Sequence, residues 1–446
     1  MSAAKSGSGR GKKDSASPSN GRRVAVVMGL RTPFVKSSGL FGDLTAVDLA
    51  TAVVQELVQR AELDAREIDM LVFGQVVPTM LATAIGREVV LRSGLPRSIE
   101  AHTVSRACAT SIQSIADASN GITLGHADVA IAGGAESLSD APIFTSKPLS
   151  KALVEASRGK NIQQKLGAFR GLNAKDLLPV PPALKEPTTG LTMGESCEKM
   201  AKENGIRRED QDRVALDSHK NAAAAIESGK LKDEVMTFMV PPKFKEAVEK
   251  DNLVRKDTSF EALSSLKPVF DRKYGTVTAG NSSPLTDGAS AVLLMSEEKA
   301  KELGYKPLGY VRSYAFAGLD PSEQLLMGPA YSTPIALDRA GLKLSDMDLI
   351  DMHEAFAAQI LSNLQAFSSK EWAKKKLGRD EAIGEVDPAK FNVNGGAIAI
   401  GHPFAASGAR MVTSTLRELQ RRDKQFGLVT LCAAGGLGAS VVLERA

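Results

Sequence analysis

The chain has 446 residues, is 43% hydrophobic and 24% charged, and carries a formal net charge of +4. At ~150 residues per domain this length and balance call for a packed protein of two or three domains, and a charge so small and scattered argues against a nucleic-acid partner. No apolar run approaches the ~20 residues of a membrane span, and Cys108, Cys197 and Cys432 lie too far apart for a CxxC pair or a zinc-ligand spacing, which fits a reducing compartment without structural metal or a disulfide framework.

Residues 1–23 are mostly Ser, Gly, Lys and Arg and read as a disordered basic tail, because they cannot bury enough apolar surface to order themselves. Arg10, Lys12, Lys13, Arg22 and Arg23 would suit a targeting or anionic-surface segment. The stretch lacks both the hydrophobic core of a secretory signal and the apolar face of a mitochondrial presequence. Val24 to Met28 is a short apolar run and reads as a buried strand, with a turn over Arg31 to Phe34. Thr45 is placed to cap a helix running to Ala61, with Leu49, Val53 and Leu57 on one face. A strand over Asp69 to Val77, a helix over Ala84 to Ser93 and a strand over Thr103 to Arg106 follow. Cys108 comes next, just before a helix over Ser111 to Thr123, and Ala127 to Ala132 is a further strand ending at Gly133-Gly134.

This alternation predicts a mostly parallel sheet covered by helices. It breaks between Ala141 and Leu266, where prolines cluster (Pro179, Pro181, Pro182, Pro241, Pro242) and two helical stretches occur near Cys197–Asn204 and Gln211–Ser228; this segment reads as an inserted, more solvated subdomain. Order returns at Gly275 to Asn281 and in a strand over Ala289 to Met295. The second half then repeats the first: a helix near Ile335–Ala340, a strand Leu349–Met352 ending at His353-Glu354, a strand Phe426–Cys432 ending in Ala433-Ala434-Gly435-Gly436, and a closing strand near Val441–Glu444. Two copies imply two similar α/β units, not a solenoid. The halves span 24–140 with 267–300, and 301–446; the insertion is 141–266.

Chemistry-bearing residues fall where strands end and turns or helices begin, the place where open α/β sheets gather ligands. Phe391 to Arg410, FNVNGGAIAIGHPFAASGAR, sets His402 between a glycine and a proline amid small residues that let a backbone close on a ligand. A histidine at such a turn is suited to titrate near neutral pH, and the residues from Ala405 to Arg422 read as its following helix. Cys108 precedes a helix, whose N-terminal partial charge favours a thiolate nucleophile. Taken alone, Cys108 or Cys432 reads first as a small packed residue, and His402 equally as a loop histidine. Two cysteines and a histidine at matching turns of a duplicated fold shift that reading toward catalysis.

From Val24 to Arg445 the chain resembles the thiolase family. The likeness rests on SRACATSIQS around Cys108, GTVTAGNSSPLTDGA, GGAIAIGHPFAASGAR around His402 and LCAAGGLGA around Cys432. Within the family it is most similar to the β subunit of the fatty-acid-oxidation trifunctional complex and its bacterial counterparts, through MHEAFAAQ, DLLPVPPA and FDRKYGTVTA; His353 stands where many thiolases carry asparagine. The resemblance implies a five-layer αβαβα sandwich of two duplicated halves with an inserted loop subdomain. It implies thiolytic cleavage of 3-ketoacyl-CoA, with Cys108 as the acylated nucleophile, His402 as its base and Cys432 as general acid and base. One oxyanion site would use His402 and a water held by His353, the other the backbone N–H groups of Cys108 and Ala434, where many thiolases carry glycine. Coenzyme A is implied as co-substrate against the insertion, with Met193 and Ser283 along the pantetheine, Arg255 by the adenine or phosphates and Phe356 in the substrate-binding set; no bound cofactor or metal is implied. Glu354 reads either as orienting the histidines and their water or as a helix N-terminal carboxylate. Cys197, His102, His126 and His219 receive no role.

The resemblance further implies a homodimer or tetramer, an α subunit with hydratase and 3-hydroxyacyl-CoA dehydrogenase activity as partner, and a cytoplasmic location with a mitochondrial alternative. A ketoacyl synthase shares the fold and the cysteine but uses histidines, or histidine and asparagine, where this chain places Cys432. An acetoacetyl-CoA-forming thiolase and a non-catalytic acyl-CoA-binding protein are the other readings. A His353-Glu354 metalloprotease motif is excluded because no histidine occupies position 357.

Overall fold

The structure, a computed structural model, describes residues 21–79, 82–180 and 185–446. The tail expected over 1–23 lies outside the described residues up to position 20, as do Pro181 and Pro182. Arg22 is held by Asp128 and Ser296, and Arg23 by Glu297, Glu444 and the face of Tyr310.

The N-terminal half runs β1 (Val24–Arg31), α1 (Ala46–Arg60), β2 (Met70–Gly74), α2 (Ile85–Arg92), β3 (Glu100–Val104), α3 (Thr110–Thr123) and β4 (Val129–Glu136). Thr45 caps α1 in a reciprocal capping box with Asp48, as its position before the apolar stripe requires. The insertion contributes α4 (Met193–Glu203) and α5 (Arg208–Glu227). The chain then forms β5 (Thr286–Ser296), β6 (Gly309–Gly318), α6 (Gly328–Ala340), β7 (Leu349–Met352), α7 (Ala357–Ser368), α8 (Ser407–Arg422), β8 (Phe426–Ala433) and β9 (Leu437–Arg445).

These strands join in the order β7-β8-β9-β6-β1-β5-β4-β2-β3, with the two half-sheets meeting where Ala25 and Val26 of β1 pair with Tyr310 and Gly309 of β6. The sheet is mixed, which corrects the mostly parallel expectation. Among these strands, parallel pairing joins β2 with β3 and β4, and β7 with β8; β1, β5, β6 and β9 pair antiparallel. A strand-and-helix alternation does not reveal that each half ends in a returning strand. Two further readings change. β4 passes through Gly133-Gly134 to Glu136, because both glycines stay in register with Ala291 and Ser290. β6 was not anticipated, since its sequence GYVRSYAFAG lacks a continuous apolar run.

Alternation along the strands sorts the core into layers. Leu71 and Phe73 of β2 face α1 and α2, while Val72 between them faces inward. Leu428 of β8 faces α6 and α7, while Val429 faces inward. Between the sheets lie α3 and α8, packed through Ile112, Ile115, Met411 and Val412. The result is a helix, sheet, helix, sheet, helix sandwich. The central pair is close: a Cβ on Gly408 of α8 would lie 2.7 Å from Ile112 of α3.

The halves superpose in topology: β1 matches β6, β2 matches β7, β4 matches β8, β5 matches β9 and α3 matches α8. The counterpart of β3 has shrunk to one parallel bridge between Phe391 and Ile350. Cys108, ahead of α3, and His402, ahead of α8, are thus equivalent positions brought face to face by the central layer.

Arg31, read as a turn residue, instead ends β1 fully buried. It donates to Asp251 at 2.6 and 2.9 Å and to Glu234 at 3.1 Å, tying the insertion to the sheet. Removing one partner of a buried ionic cluster strands the others, so Arg31→Ala is expected to destabilise by about 3–5 kcal/mol. Reversible denaturant unfolding checks this; a loss below about 1 kcal/mol would show the acidic pair to be otherwise satisfied.

Candidate active site

The turn Arg106 to Thr110 presents Cys108. Ala107 takes φ +44°, a left-handed value that costs a non-glycine residue of order 1–3 kcal/mol. Thr110 holds the turn: its hydroxyl accepts the Arg106 N–H at 2.8 Å and donates to the Ala107 carbonyl at 2.7 Å. Cys108 as a residue is partly exposed.

His402 is set on the matching turn. Its N–H donates to Thr286 Oγ1 at 2.6 Å, and Ser407 Oγ, on the first turn of α8, lies 2.6 Å from its Nδ1. Gly401 before it has φ +107°, and a Cβ there would also press on Thr286 at 2.7 Å, so the turn admits only glycine. His353 follows β7, with its N–H bonded to the Thr430 carbonyl at 2.9 Å. The two imidazoles lie 4.1 Å apart between centroids, inclined at 50°. Cys108 Sγ and one nitrogen from each ring all fall within 4.8 Å of one another.

Cys432 is the last but one residue of β8 and is fully buried. Two residues on, the Ala434 N–H faces the Cys108 sulfur, as does the N–H of Cys108 itself. Ala434 keeps a negative φ; the left-handed values belong to Gly435 and Gly436 behind it. Alanine therefore fits where the sequence raised a question. Glu186 of the insertion, itself buried, accepts the Gly435 N–H at 3.0 Å and pins this turn.

Burial governs the electrostatics. It pushes the Cys108 thiol up to about 12, against the two backbone N–H groups and with help from the Glu136 carboxylate. This corrects the expectation of a thiolate favoured by the helix N-terminus: desolvation is the largest cause and raises the thiol. Burial likewise pushes Cys432 well above its ordinary value, with the neighbouring sulfurs of Cys108 and Cys197 adding to the rise. His353 falls to about 3, through burial and then the Arg410 charge. His402 falls well below 6.5 through burial, then His353 and Arg410, so it does not titrate near neutrality as its turn suggested. The resting site holds neutral thiols and neutral imidazoles. An acid limb of kcat/KM is expected well below the ordinary imidazole value of 6.5, because the lowered histidines stay neutral there, and an alkaline limb toward about 12. A pH–rate profile that bends near 6.5 would contradict this.

Glu354 lies behind the glycine-rich stretch. It accepts from Ser218 Oγ at 2.6 Å, Asn392 Nδ2 at 2.7 Å and the Ile398 N–H at 3.2 Å. It ties α5 to the His402 segment and bonds neither imidazole. Met193, at the first position of α4, packs in one cluster with Phe270 and Phe356, whose rings meet edge-on at 6.2 Å. Ser283 is bonded through its N–H to the Ala355 carbonyl at 3.0 Å, so Met193, Ser283 and Phe356 come together. Arg255 does not join them. It is exposed, and its N–H donates to His219 Nδ1 at 3.2 Å.

Family models for the thiolase N-terminal and C-terminal domains match residues 24–298 and 305–445. The chain belongs to the thiolase family. A 3-ketoacyl-CoA thiolase of Aeromonas salmonicida (strain A449) is 56% identical over 424 residues, covering 95% of this chain and 97% of the relative. The crystal structure of the Bacillus anthracis acetyl-CoA acetyltransferase superposes with a TM-score of 0.82 at 32% identity, over 96% of this chain and 99% of that one. Human mitochondrial 3-ketoacyl-CoA thiolase in complex with CoA gives 0.80 at 32%, over 95% and 98%.

Sequence reasoning missed several residues of this thiolase site. Ser407 had a legible signal, since the first turn of a helix five residues past His402 can reach back to the ring. Glu186 and Arg410 had none; their partners are distant in sequence. A hydrogen bond of this kind to a charged state is worth ~1.5–3 kcal/mol. Ser407→Ala is therefore expected to lower kcat roughly 10- to 100-fold with KM little changed. Steady-state kinetics check this, and a change confined to KM would remove Ser407 from the proton path.

Proposed function

We propose that this chain is a 3-ketoacyl-CoA thiolase, an acyltransferase that cleaves 3-ketoacyl-CoA into acetyl-CoA and a shortened acyl-CoA during fatty-acid β-oxidation. The observation that carries the reading is the convergence of Cys108, His353 and His402 within 4.8 Å, with the Ala434 N–H on the same sulfur.

Ser407 Oγ faces the Pro403 carbonyl at 3.5 Å and can accept from the Nδ1–H of His402, which leaves the Nε2 lone pair free for the thiol proton. His402 takes that proton as Cys108 attacks the keto carbon. The protonated ring and His353 then face the developing oxyanion. The C2–C3 bond breaks, the acyl group stays on Cys108, and Cys432 protonates the departing enolate of acetyl-CoA. The incoming CoA thiol gives its proton back to Cys432, attacks the thioester, and His402 returns its proton to Cys108. The N–H groups of Cys108 and Ala434 serve the thioester oxygen in this second step. CoA lies against the insertion, with Met193, Ser283 and Phe356 along the acyl and pantetheine path; Arg255, exposed beside α5, suits the adenine or a phosphate.

The likeness to an acetyl-CoA acetyltransferase favours a second reading, acetoacetyl-CoA formation, in which Cys432 removes the same proton. A steady-state series with 3-ketoacyl-CoAs of increasing length separates them. Turnover of acetoacetyl-CoA alone would favour the second, and decarboxylation of a malonyl thioester alone would sink both. Intact Cys108, His402 and Cys432 argue against a merely acyl-CoA-binding role.

Assembly as a homodimer or tetramer, and pairing with an α subunit carrying hydratase and 3-hydroxyacyl-CoA dehydrogenase activity, belong to the same proposal. Exposed apolar side chains in the insertion, among them Ile143, Phe144, Ile162, Leu166 and Leu178, support a surface that another chain covers. Recovery of only the homo-oligomer from the native cell extract would count against the α subunit. Among the described residues no helix is long and apolar enough to cross a membrane. A cytoplasmic location is proposed from the bacterial relative, and a mitochondrial one is the alternative.

A further inference from the structure

The catalytic triangle has a second chemical property. His353 Nδ1 and Nε2 and His402 Nε2 are buried without a hydrogen-bond partner. Their rings are 0% and 3% exposed, and both stay neutral at physiological pH, the state in which imidazole binds metal. With Cys108 Sγ they form an N₂S donor set within 4.8 Å. We propose that Cys108, His353 and His402 form a binding site for zinc, or a divalent cation of like softness, in the free enzyme, and that bound metal and the acyl-enzyme exclude each other.

One thiolate, two imidazoles and a fourth position open to water make a tetrahedral set typical of zinc. At bond lengths of ~2.0–2.1 Å to nitrogen and ~2.3 Å to sulfur, tetrahedral donors stand ~3.3–3.6 Å apart. The longest side of the triangle, up to 4.8 Å, must therefore contract by about 1.2–1.5 Å, and His353, whose ring nitrogens bond no other group, is the ligand assigned that movement. Binding forms a metal–sulfur bond, and the Cys108 proton leaves to solvent. The cation compensates the buried thiolate that desolvation otherwise disfavours. Arg410 opposes a cation at both imidazoles, and the Glu136 carboxylate, which acts on the Cys108 sulfur, favours one. A thioester sulfur is a poor ligand, which is why acylation and metal compete. Ligands this far apart in sequence have no spacing signature, so the site is invisible to motif reading.

The test titrates cobalt(II), then zinc, into the metal-free full-length protein. One equivalent per chain and a thiolate-to-cobalt charge-transfer absorption are expected, with zinc displacing the cobalt. Cys108→Ser, or alkylation of Cys108 in the folded wild type, should remove the absorption. His353→Asn should weaken binding at least tenfold, and Cys197→Ala should leave it intact. Absence of the absorption in wild type, its survival after alkylation, or unchanged affinity in His353→Asn would overturn the proposal. Only the last arm rests on the acyl-transfer reading: incubation with acetyl-CoA should abolish cobalt binding. If alkylation removes the absorption but acetyl-CoA does not, mass spectrometry of the same sample decides: an acetylated Cys108 overturns the exclusion, and an unmodified one counts against the acyl-transfer reading while the metal site stands.

Discussion

Replacing Cys108 by alanine is expected to lower kcat by about 10⁴-fold or more, the scale of deleting a covalent nucleophile. No other thiol can substitute. Cys432 and Cys197 are both fully buried, whereas Cys108 is partly exposed. The Ala107 turn that presents Cys108 has no duplicate on either. The measurement is steady-state thiolysis together with mass spectrometry of the chain after incubation with acyl-CoA: the variant should carry no acyl adduct. Turnover within tenfold of the wild type would sink the covalent mechanism.

Loss of the Cys432 thiol should separate two half-reactions. General acid catalysis is worth ~10²–10⁴-fold, so Cys432→Ala should lose that much in 3-ketoacyl-CoA cleavage, where an enolate needs a proton. Exchange of the acyl group between free CoA and Cys108 creates no enolate and should persist. Labelled CoA entering acyl-CoA measures the exchange. Equal losses in both reactions would make Cys432 a packing residue of β8, because a hole in the core would disturb both alike.

How far these roles were legible follows from where each signal is stored. Cys108, His402 and Cys432 sit in runs of small residues at strand ends, and such runs are local. The repeat was legible from the endings of β2 and β7 and of β4 and β8. Sheet direction was not, because an antiparallel return such as β5 or β9 looks the same in sequence as a parallel strand buried on both faces. The thiol and imidazole pKa directions were misjudged for one reason. The charge at a helix end can be read locally, whereas the burial that shifts these groups exists only once the chain has packed. Arg31 was misplaced likewise, since Glu234 and Asp251 belong to the insertion.

The hydrogen bond from the Gly435 N–H to Glu186 bears on how such an enzyme can change its preferences. Under the proposed function the insertion supplies Met193 to the acyl and pantetheine path. Through Glu186 it also fixes the turn that aims the Ala434 N–H at the reacting sulfur. Specificity and rate are therefore not separable modules. Exchanging this segment for that of a relative would retune the pocket and detune the catalyst together, unless the transplanted stretch brings a carboxylate to the same glycine.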